Sequence, residues 1–345
     1  MNENGWRPRS KNCIRREQCG ITLPVNDSIL SPPNVSLAVA AQALKDGELV
    51  VFPTETVYGL GANAWNAEAC AQIYATKERP TFNPLIVHVG SLEKVREVAA
   101  EIPAWAEALA HRFWPGPLTL VLPKQPRLPA LVTAGLDTVA VRIPRHAVAQ
   151  ALLAESGVPI AAPSANRFTR LSPTKLAHAR SQLSGRVKYF LDGGPTEIGL
   201  ESTIVGVPNG VLTLLRAGGI TREAIESIIG PVALPADGAA TIAPGNHAKH
   251  YSPQTPLFLE EFAPTSTAQF GLVTVKARPE DYLRYQIIIE LSPKENLVEA
   301  AAHLFEALHD LEASGVKGII ARLAPESGLG VAINDRLRRA SVTLR

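Results

Sequence analysis

The sequence predicts an α/β protein built from two domains. Short runs rich in Val, Ile and Leu alternate with longer segments whose apolar residues recur at helical spacing, as in a sheet covered by helices. The chain has 345 residues, which is more than one domain usually holds. A stretch rich in Pro, Ala and Gly between Gly230 and Pro256 separates two such regions. We therefore expect two packed units joined by a linker.

Composition excludes several classes of function. Hydrophobic residues make up 46% of the chain and charged residues 19%, which indicates a packed core rather than global disorder. The formal net charge is only +2, so any contact with a polyanion must come from a local cluster. The three cysteines form neither a disulfide framework nor a zinc pattern, and a reducing cytoplasm fits them best. No apolar run reaches the roughly 18–20 residues of a membrane span.

Residues 1–30 carry five cations but no apolar core of a secretory signal. Their Asn, Pro and Ser content predicts a flexible extension. A basic arm that touches RNA is the alternative.

The stretch from Pro53 to Val89 reads as a polar turn, a helix, a cationic pair and a strand. Asn66 can cap the helix, and Pro80 must end it. Lys77 and Arg79 then lie at its C-terminal end, where the helix dipole alone would favour cations. Two positions apart on a helix, their side chains diverge by about 200°. Both can reach one ligand only if the helix unwinds before Pro80, as the pre-proline restriction encourages.

Two later segments carry polar residues in apolar surroundings. Arg142 follows Val139 and Val141 in a predicted strand, where a buried arginine would need an anionic partner. An edge strand with a solvated arginine explains it equally well. Ser164 and Asn166 follow another apolar strand and offer neutral donors, although an ordinary turn would use the same residues.

The remaining segments predict one more helix and a second, smaller domain. The helix is expected to begin at Ser172 to Thr174, and the domain is expected beyond Pro256. That domain has predicted strands at Leu272–Val275, Gln286–Leu291 and Gly318–Leu323, a helix at Asn296–Ser314, and a last segment with Asn334, Arg336, Arg338 and Arg339. It lacks GxGxxG, so a dinucleotide role is not supported.

Several catalytic signatures are missing from the sequence. There is no Walker A motif, GxSxG, HExxH or CxxC. His247 and His250 lie three apart without a neighbouring carboxylate or cysteine, so we expect no metal site there. Phosphate binding would have to rest on Lys, Arg, hydroxyls and backbone amides.

The motifs themselves carry a family resemblance. In this order the chain contains PTETVYGLGANA, KERPTFNPLIVHV, WPGPLTLVL, TAGLDTVAVRIP, PIAAPSAN, SPT, DGG, ESTIV and LLRAGG. From about Val35 to Thr221 it resembles the threonylcarbamoyl-AMP synthase family, whose single-domain relatives are the YrdC/TsaC proteins. The linker and C-terminal region resemble the longer, two-domain form.

This resemblance implies a fold and domain boundaries. The fold would be α/β, with a YrdC-like open twisted mixed sheet with helices, plus a smaller Rossmann-like C-terminal α/β domain. We expect a flexible extension at 1–30, the catalytic domain at 31–229, the linker at 230–255 and the C-terminal domain at 256–345.

The resemblance also implies a reaction. L-threonine, bicarbonate or carbon dioxide, and ATP would give threonylcarbamoyl-AMP and pyrophosphate, with magnesium. A partner threonylcarbamoyl transferase would then modify tRNA beside the anticodon, and we expect the chain itself to bind tRNA weakly at most. We expect a cytoplasmic enzyme without a membrane partner.

Binding residues follow from the same resemblance, position by position. It assigns nucleotide binding to Lys77, Arg79, Thr138, Ser164, Asn166, Ser172, Arg216 and Tyr251. It assigns the threonine pocket to Thr54, His88, Arg142 and Ser202, with Arg142 as partner of the carboxylate. No catalytic base is identified, and His88 is the candidate of this set that could titrate near pH 7. The linker departs from the family's PGMKYKHYAP, because Asn246-His247-Ala248 replaces Met-Lys-Tyr.

Two other functions compete with the synthase. One is a tRNA-binding, double-stranded-RNA-binding or ribosome-maturation factor without catalysis, which would need basic residues but no threonine pocket. The other is an O-carbamoyltransferase, disfavoured because the chain lacks the metal-binding domains of those enzymes.

Overall fold

The computed structural model describes residues 33–235 and 250–342. The predicted extension at 1–30 and the altered linker motif at Asn246-His247-Ala248 lie outside the described residues. Both stay predictions.

The first unit combines nine strands and seven helices within the described residues. Its strands are β1 (Val50–Phe52), β2 (Gly59–Asn63), β3 (Ile86–His88), β4 (Leu118–Pro123), β5 (Thr138–Arg142), β6 (Ile160–Ala162), β7 (Tyr189–Phe190), β8 (Thr203–Gly206) and β9 (Thr213–Arg216). Its helices are α1 (Leu37–Lys45), α2 (Ala67–Lys77), α3 (Leu92–Val98), α4 (Ala104–Phe113), α5 (Ala147–Ser156), α6 (Leu176–Leu183) and α7 (Arg222–Ile229).

The strands form one open sheet in the order β7-β1-β2-β6-β3-β5-β4-β8-β9. The pairs β1–β7, β3–β5 and β4–β8 are parallel, and the other neighbours are antiparallel. Helices cover both faces: Val51 packs in the core with α2, α3, α4 and α6, whereas Val50 and Phe52 pack with α1 and α5. The predicted open mixed sheet is confirmed.

Local sequence signals predict some helix ends correctly and others wrongly. Asn66 caps α2 as predicted, its side-chain oxygen accepting from Ala69 N at 3.0 Å. The helix expected to begin at Ser172 to Thr174 instead begins at Leu176. The carbonyls of Pro173 and Thr174 accept hydrogen bonds from neighbouring loops, so the segment stays extended.

The second unit is a four-stranded parallel sheet in the order β10-β13-β11-β12. Its elements are β10 (Leu257–Leu259), β11 (Gly271–Thr274), α8 (Asp281–Arg284), β12 (Ile287–Glu290), α9 (Leu297–Ala313), β13 (Ile319–Ala321) and α10 (Leu329–Ala340). The predicted α/β unit is confirmed, but β10, α8 and α10 were missed. β10 is only three residues long. In α10, three arginines and an Asn-Asp pair interrupt the apolar face.

The two units share a hydrophobic core. Val57, Leu171 and Leu200 of the first unit are buried in one cluster with residues of α9 and α10. Gly199 allows the closest approach, because a Cβ there would lie 2.4 Å from the Ala302 carbonyl oxygen of α9.

We expect Gly199→Ala to destabilise the protein more than Gly194→Ala. Both glycines have left-handed backbones, with φ of 71° and 79°, so either alanine costs about 1 kcal/mol in strain. A Cβ at Gly194 meets nothing within 4 Å, whereas the contact at Gly199 should add about 1–3 kcal/mol. Urea unfolding measures the difference, and equal midpoints for the two variants would contradict this account of the interface.

Candidate active site

A cavity of about 50 Å³ lies where β3 and β5 end and His88 stands opposite Arg142. Eight of the twelve predicted binding residues line it: Thr54, Arg79, His88, Arg142, Ser164, Ser202, Arg216 and Tyr251. Its wall also includes Thr56, Glu201 and His250. The structure thus gathers residues that the sequence spreads over almost 200 positions.

Arg142 is buried in the interior of the sheet, which excludes the edge-strand alternative. Its Nη2 lies 2.7 Å from Glu55 Oε1, its Nη1 donates to Thr56 Oγ1 at 2.8 Å, and its Nε donates to the Gly116 carbonyl at 3.2 Å. Although burial acts in the opposite direction, the charge of Arg142 holds the pKa of Glu55 below its ordinary value. The guanidinium is therefore fixed and paired with a buried carboxylate.

Thr54 shapes the turn in front of Arg142. Its hydroxyl donates to the Val57 carbonyl at 2.6 Å and lies 2.8 Å from the Thr56 hydroxyl. Such local side-chain bonds stabilise a turn in place of regular structure. Because Thr54 and Thr56 also line the cavity, the turn presents both hydroxyls to it.

His88 does not titrate near pH 7, so that expectation is wrong. Burial and the nearby positive charge of Arg142 lower the pKa of His88 to about 3. Its Nδ1 lies 3.3 Å from the Ile160 carbonyl oxygen, and its ring meets Phe52 edge-on at 5.9 Å. At neutral pH the imidazole is an uncharged hydrogen-bonding group.

The helix carrying the cationic pair unwinds before Pro80, as joint binding requires. α2 ends at Lys77, and Glu78 adopts a left-handed backbone with φ of 56°. Arg79 is thereby released from the helix and lines the cavity. Its Nε and Nη2 donate to carbonyls of the following loop, at 3.2 and 3.0 Å.

Lys77 lies behind the cavity wall. Its ammonium donates to the Ser164 carbonyl at 2.6 Å and to the Asn166 carbonyl. The Asn166 amide donates in turn to the carbonyls of Arg167 and Arg170, at 2.7 and 2.9 Å. Burial and the nearby Arg79 lower the pKa of Lys77 well below its ordinary value. In this structure Lys77 and Asn166 hold the loop that presents Ser164.

Two further arginines, Arg79 and Arg216, lie in the cavity wall with His250. The guanidinium of Arg216 donates to the backbone and side-chain oxygens of Ser202, at 2.9 to 3.1 Å. Burial, followed by the charges of Arg79, Lys77 and Arg216, lowers the pKa of His250 far below its ordinary value. Among the described residues of the wall, Glu201 is the single carboxylate. Such an arrangement attracts an anion.

Tyr251 brings the end of the predicted linker to this cavity. It is almost fully buried although its φ is 60°, a left-handed conformation that costs energy for a bulky residue. The ring packs on Phe305 at 5.5 Å, and the guanidinium carbon of Arg336 lies 5.2 Å from its centre. These contacts hold the strained residue in place.

Thr138 and Ser172 do not reach the cavity. Thr138 begins β5 four residues before Arg142, so it lies about 13 Å away along the strand. The Ser172 hydroxyl is buried and donates to Glu201 Oε1 at 2.5 Å. For both residues, nucleotide contact stays a prediction.

Three charged residues of the site were missed from the sequence: Glu55, Glu201 and Arg336. Glu55 follows Thr54 in the motif PTET, and Glu201 precedes Ser202 in the motif ESTIV. Their position next to predicted binding residues could have identified both carboxylates. For Arg336 the signal was helical spacing, because it shares one face of α10 with Leu329, Ile333 and Leu337, whereas Arg338 and Arg339 do not.

Within the ranges that the structure describes, no group of three or more His, Cys, Asp or Glu could hold a metal ion. Over the same ranges, no helix is long and apolar enough to cross a membrane.

Fold and cavity together define a two-unit α/β protein with a buried cavity lined by three arginines. The family model described as Telomere recombination matches residues 42–218, and the one described as Threonylcarbamoyl-AMP synthase, C-terminal domain, matches residues 220–342. The chain therefore belongs to the threonylcarbamoyl-AMP synthase family, in its two-domain form, which confirms the predicted family. The predicted boundary at residue 229 stays a prediction.

Individual relatives agree with this family. The threonylcarbamoyl-AMP synthase of Bacillus subtilis is 42% identical over 328 residues, which cover 90% of this chain and 94% of the relative. That of Pyrococcus abyssi is 42% identical over 319 residues, 88% of this chain and 94% of the relative. The crystal structure of P. abyssi Sua5 complexed with L-threonine is similar at a TM-score of 0.80 and 39% identity, over 88% of this chain and 94% of that chain.

The neutral state of His88 gives a measurable expectation. We expect its ring resonances, assigned by comparison with His88→Gln, not to titrate between about pH 5 and pH 8. In urea the same ring should regain a pKa near 6.5. Because the folded pKa lies below the unfolded one, His88 makes the protein less stable as pH falls from about 6.5 toward 3, and His88→Gln should reduce that loss. A folded-state midpoint near pH 6.5 would contradict the burial argument.

Proposed function

We propose that this chain is a threonylcarbamoyl-AMP synthase, which converts L-threonine, bicarbonate or carbon dioxide, and ATP to threonylcarbamoyl-AMP and pyrophosphate. The observation that carries the proposal is one cavity with two unlike ends. One end holds a charge-compensated arginine beside hydroxyls and a neutral histidine, and the other gathers buried cations. The names of the relatives, and the L-threonine of the similar crystal structure, support it.

The threonine end consists of Thr54, His88, Arg142 and Ser202. We assign the substrate carboxylate to Arg142, whose guanidinium is held at fixed geometry by Glu55 and Thr56. Hydroxyls and a neutral imidazole can bind the substrate's polar groups without adding charge.

The nucleotide end consists of Arg79, Ser164, Arg216 and Tyr251 on the wall, with Lys77 behind it. We assign the ATP phosphates to the two arginines, since their planar guanidinium groups match phosphate oxygens. Thr138, Asn166 and Ser172 complete the proposed set through contacts that this conformation does not make.

The reaction needs little covalent catalysis by the protein. The neutral amine of threonine adds to carbon dioxide, which bicarbonate supplies by taking up a proton and losing water, and the amine gives up one proton to solvent. An oxygen of the resulting carbamate attacks the α-phosphate, and the bond from the α-phosphorus to the β-phosphate oxygen breaks to release pyrophosphate. Positioning of the two substrates and stabilisation of charge on the phosphates would supply the rate enhancement. A histidine with a pKa of about 3 is a poor general base, so we assign no proton transfer to His88.

The cavity must widen to take its substrates. About 50 Å³ holds a few water molecules and not a nucleotide. His250 and Tyr251 form part of the wall at the nucleotide end, so we propose that ATP displaces them from the positions seen here.

Magnesium would enter with ATP as the counter-ion of its phosphates. The described residues contain no cluster of acidic or histidine side chains for a resident ion, and the single wall carboxylate is held by Ser172 and Arg336. This chain would then bind the ion through the nucleotide.

The product would serve the modification of tRNA beside the anticodon, passed on by a partner threonylcarbamoyl transferase. Direct binding of tRNA by this chain would be weak, because its net charge is only +2. The cysteine content supports a cytoplasmic location.

The function is tested by incubating the purified chain with ATP, magnesium, L-threonine and labelled bicarbonate. We expect threonine-dependent release of pyrophosphate and a labelled adenylate, separated by chromatography. Tight tRNA binding without either product would favour the non-catalytic RNA-binding alternative instead.

Arg142→Met should raise the KM for L-threonine by about tenfold to a hundredfold, because one charged hydrogen bond to a carboxylate is lost. The KM for ATP should change little. Arg145→Met is the matched control, since Arg145 is exposed and pairs with Glu197 at 2.8 Å.

Removing Arg142 leaves Glu55 buried without its counter-charge, which alone can destabilise the fold. The double variant Arg142→Met/Glu55→Gln removes both charges and separates binding from folding. An unchanged KM for L-threonine in a folded double variant would remove Arg142 from the pocket.

A further inference from the structure

Arg336 belongs to the second unit but lies against the wall of the cavity. It projects from α10 and is fully buried. Its Nε lies 3.0 Å from Glu201 Oε2, and its Nη1 donates to the Ala217 carbonyl at 2.8 Å and to Asp335 Oδ2 at 2.8 Å. Its guanidinium also lies beside the ring of Tyr251. One side chain therefore contacts three segments that carry wall residues.

Its partner Glu201 occupies an unfavourable place for a phosphate site. Glu201 is the single carboxylate among the described wall residues, close to the cations that would bind a nucleotide. Ser172 holds one of its oxygens and Arg336 the other. A carboxylate facing phosphates repels them unless its charge is compensated.

Arg216 lies close to the same carboxylate. It donates to Ser202, the residue next to Glu201, and the charge of Glu201 acts on its pKa. In this structure Ser172 and Arg336 hold Glu201. A pair between Glu201 and Arg216 would leave that arginine less able to bind a phosphate.

We propose that Arg336 is a positioning residue of the nucleotide site: by holding Glu201, it keeps that carboxylate away from Arg216 and from the ATP phosphates. The second unit then contributes to nucleotide binding through Arg336, in addition to packing over the site. This rests on the proposed function only in naming ATP as the ligand. We expect little change at the threonine end, because the hydrogen bonds of Arg336 go to Glu201, Ala217 and Asp335 and not to the residues proposed to bind threonine.

The test compares Arg336→Met, Arg336→Lys and the control Arg338→Met. Arg338 lies on the same helix but is exposed and pairs with Glu326. Titration calorimetry measures the Kd of ATP with magnesium, without L-threonine, and steady-state kinetics give both KM values. We expect Arg336→Met to raise the Kd and KM of ATP by about tenfold or more, because a freed Glu201 would pair with Arg216 and so remove about one charge-assisted contact to the phosphates. The lysine should have a smaller effect, and the KM of L-threonine should stay within about twofold.

Rescue by a second change separates this role from a merely structural one. In Arg336→Met/Glu201→Gln the repelling charge is gone, while the amide oxygen can still accept from Ser172. We expect its ATP Kd to return to within about threefold of the wild type. The rescue also keeps the test usable if Arg336→Met alone folds poorly, because no buried charge is then left unpaired.

Several results would overturn the proposal. These are an ATP Kd in Arg336→Met equal to that of Arg338→Met, a double variant as weak as the single one, or tighter ATP binding, which would show that Arg336 acts through Tyr251. A wild-type chain that binds ATP but makes no threonylcarbamoyl-AMP would contradict the proposed function and leave this comparison valid.

Discussion

The site depends on how buried positive charge is compensated. A buried charge without a partner is costly, so each cation around the cavity must find an anion or enough neutral acceptors. Arg142 pairs with Glu55, Arg336 pairs with Glu201, and Lys77 is held by two backbone carbonyls. These three solutions leave different net charge around Arg142 and around Arg216, and the proposed function assigns one substrate to each.

At the proposed threonine end the charges cancel. The Arg142–Glu55 pair has no net charge and His88 is neutral, so a substrate there meets donors and acceptors without a strong net field. At the proposed nucleotide end the cations outnumber the carboxylates of the described wall, which suits a polyanion. A single uniformly basic cleft would bind ATP but would hold the amine of threonine less well.

Local signals were enough to predict the fold, whereas most of the wall residues were identified through the family resemblance. Asn66 caps its helix, Pro80 forces it to unwind, and the apolar runs become the strands that bring His88 beside Arg142. The role of Lys77 was less accessible, since the carbonyls it contacts lie almost 90 positions later. Likewise His88 could be judged only with its burial known, because imidazole titrates near neutral pH when solvated.

The partners that set the charge balance were beyond local reasoning for a physical reason. Glu201 and Arg336 are 135 positions apart and on different units, so only packing of α10 against the first unit brings them together. Helical spacing places Arg336 on the buried face of α10 and Arg338 on the exposed face, but it does not show which carboxylate Arg336 meets. If this wall binds phosphates as proposed, charge must be compensated across the boundary between the two units. Nucleotide affinity and the docking of the second unit would then be linked.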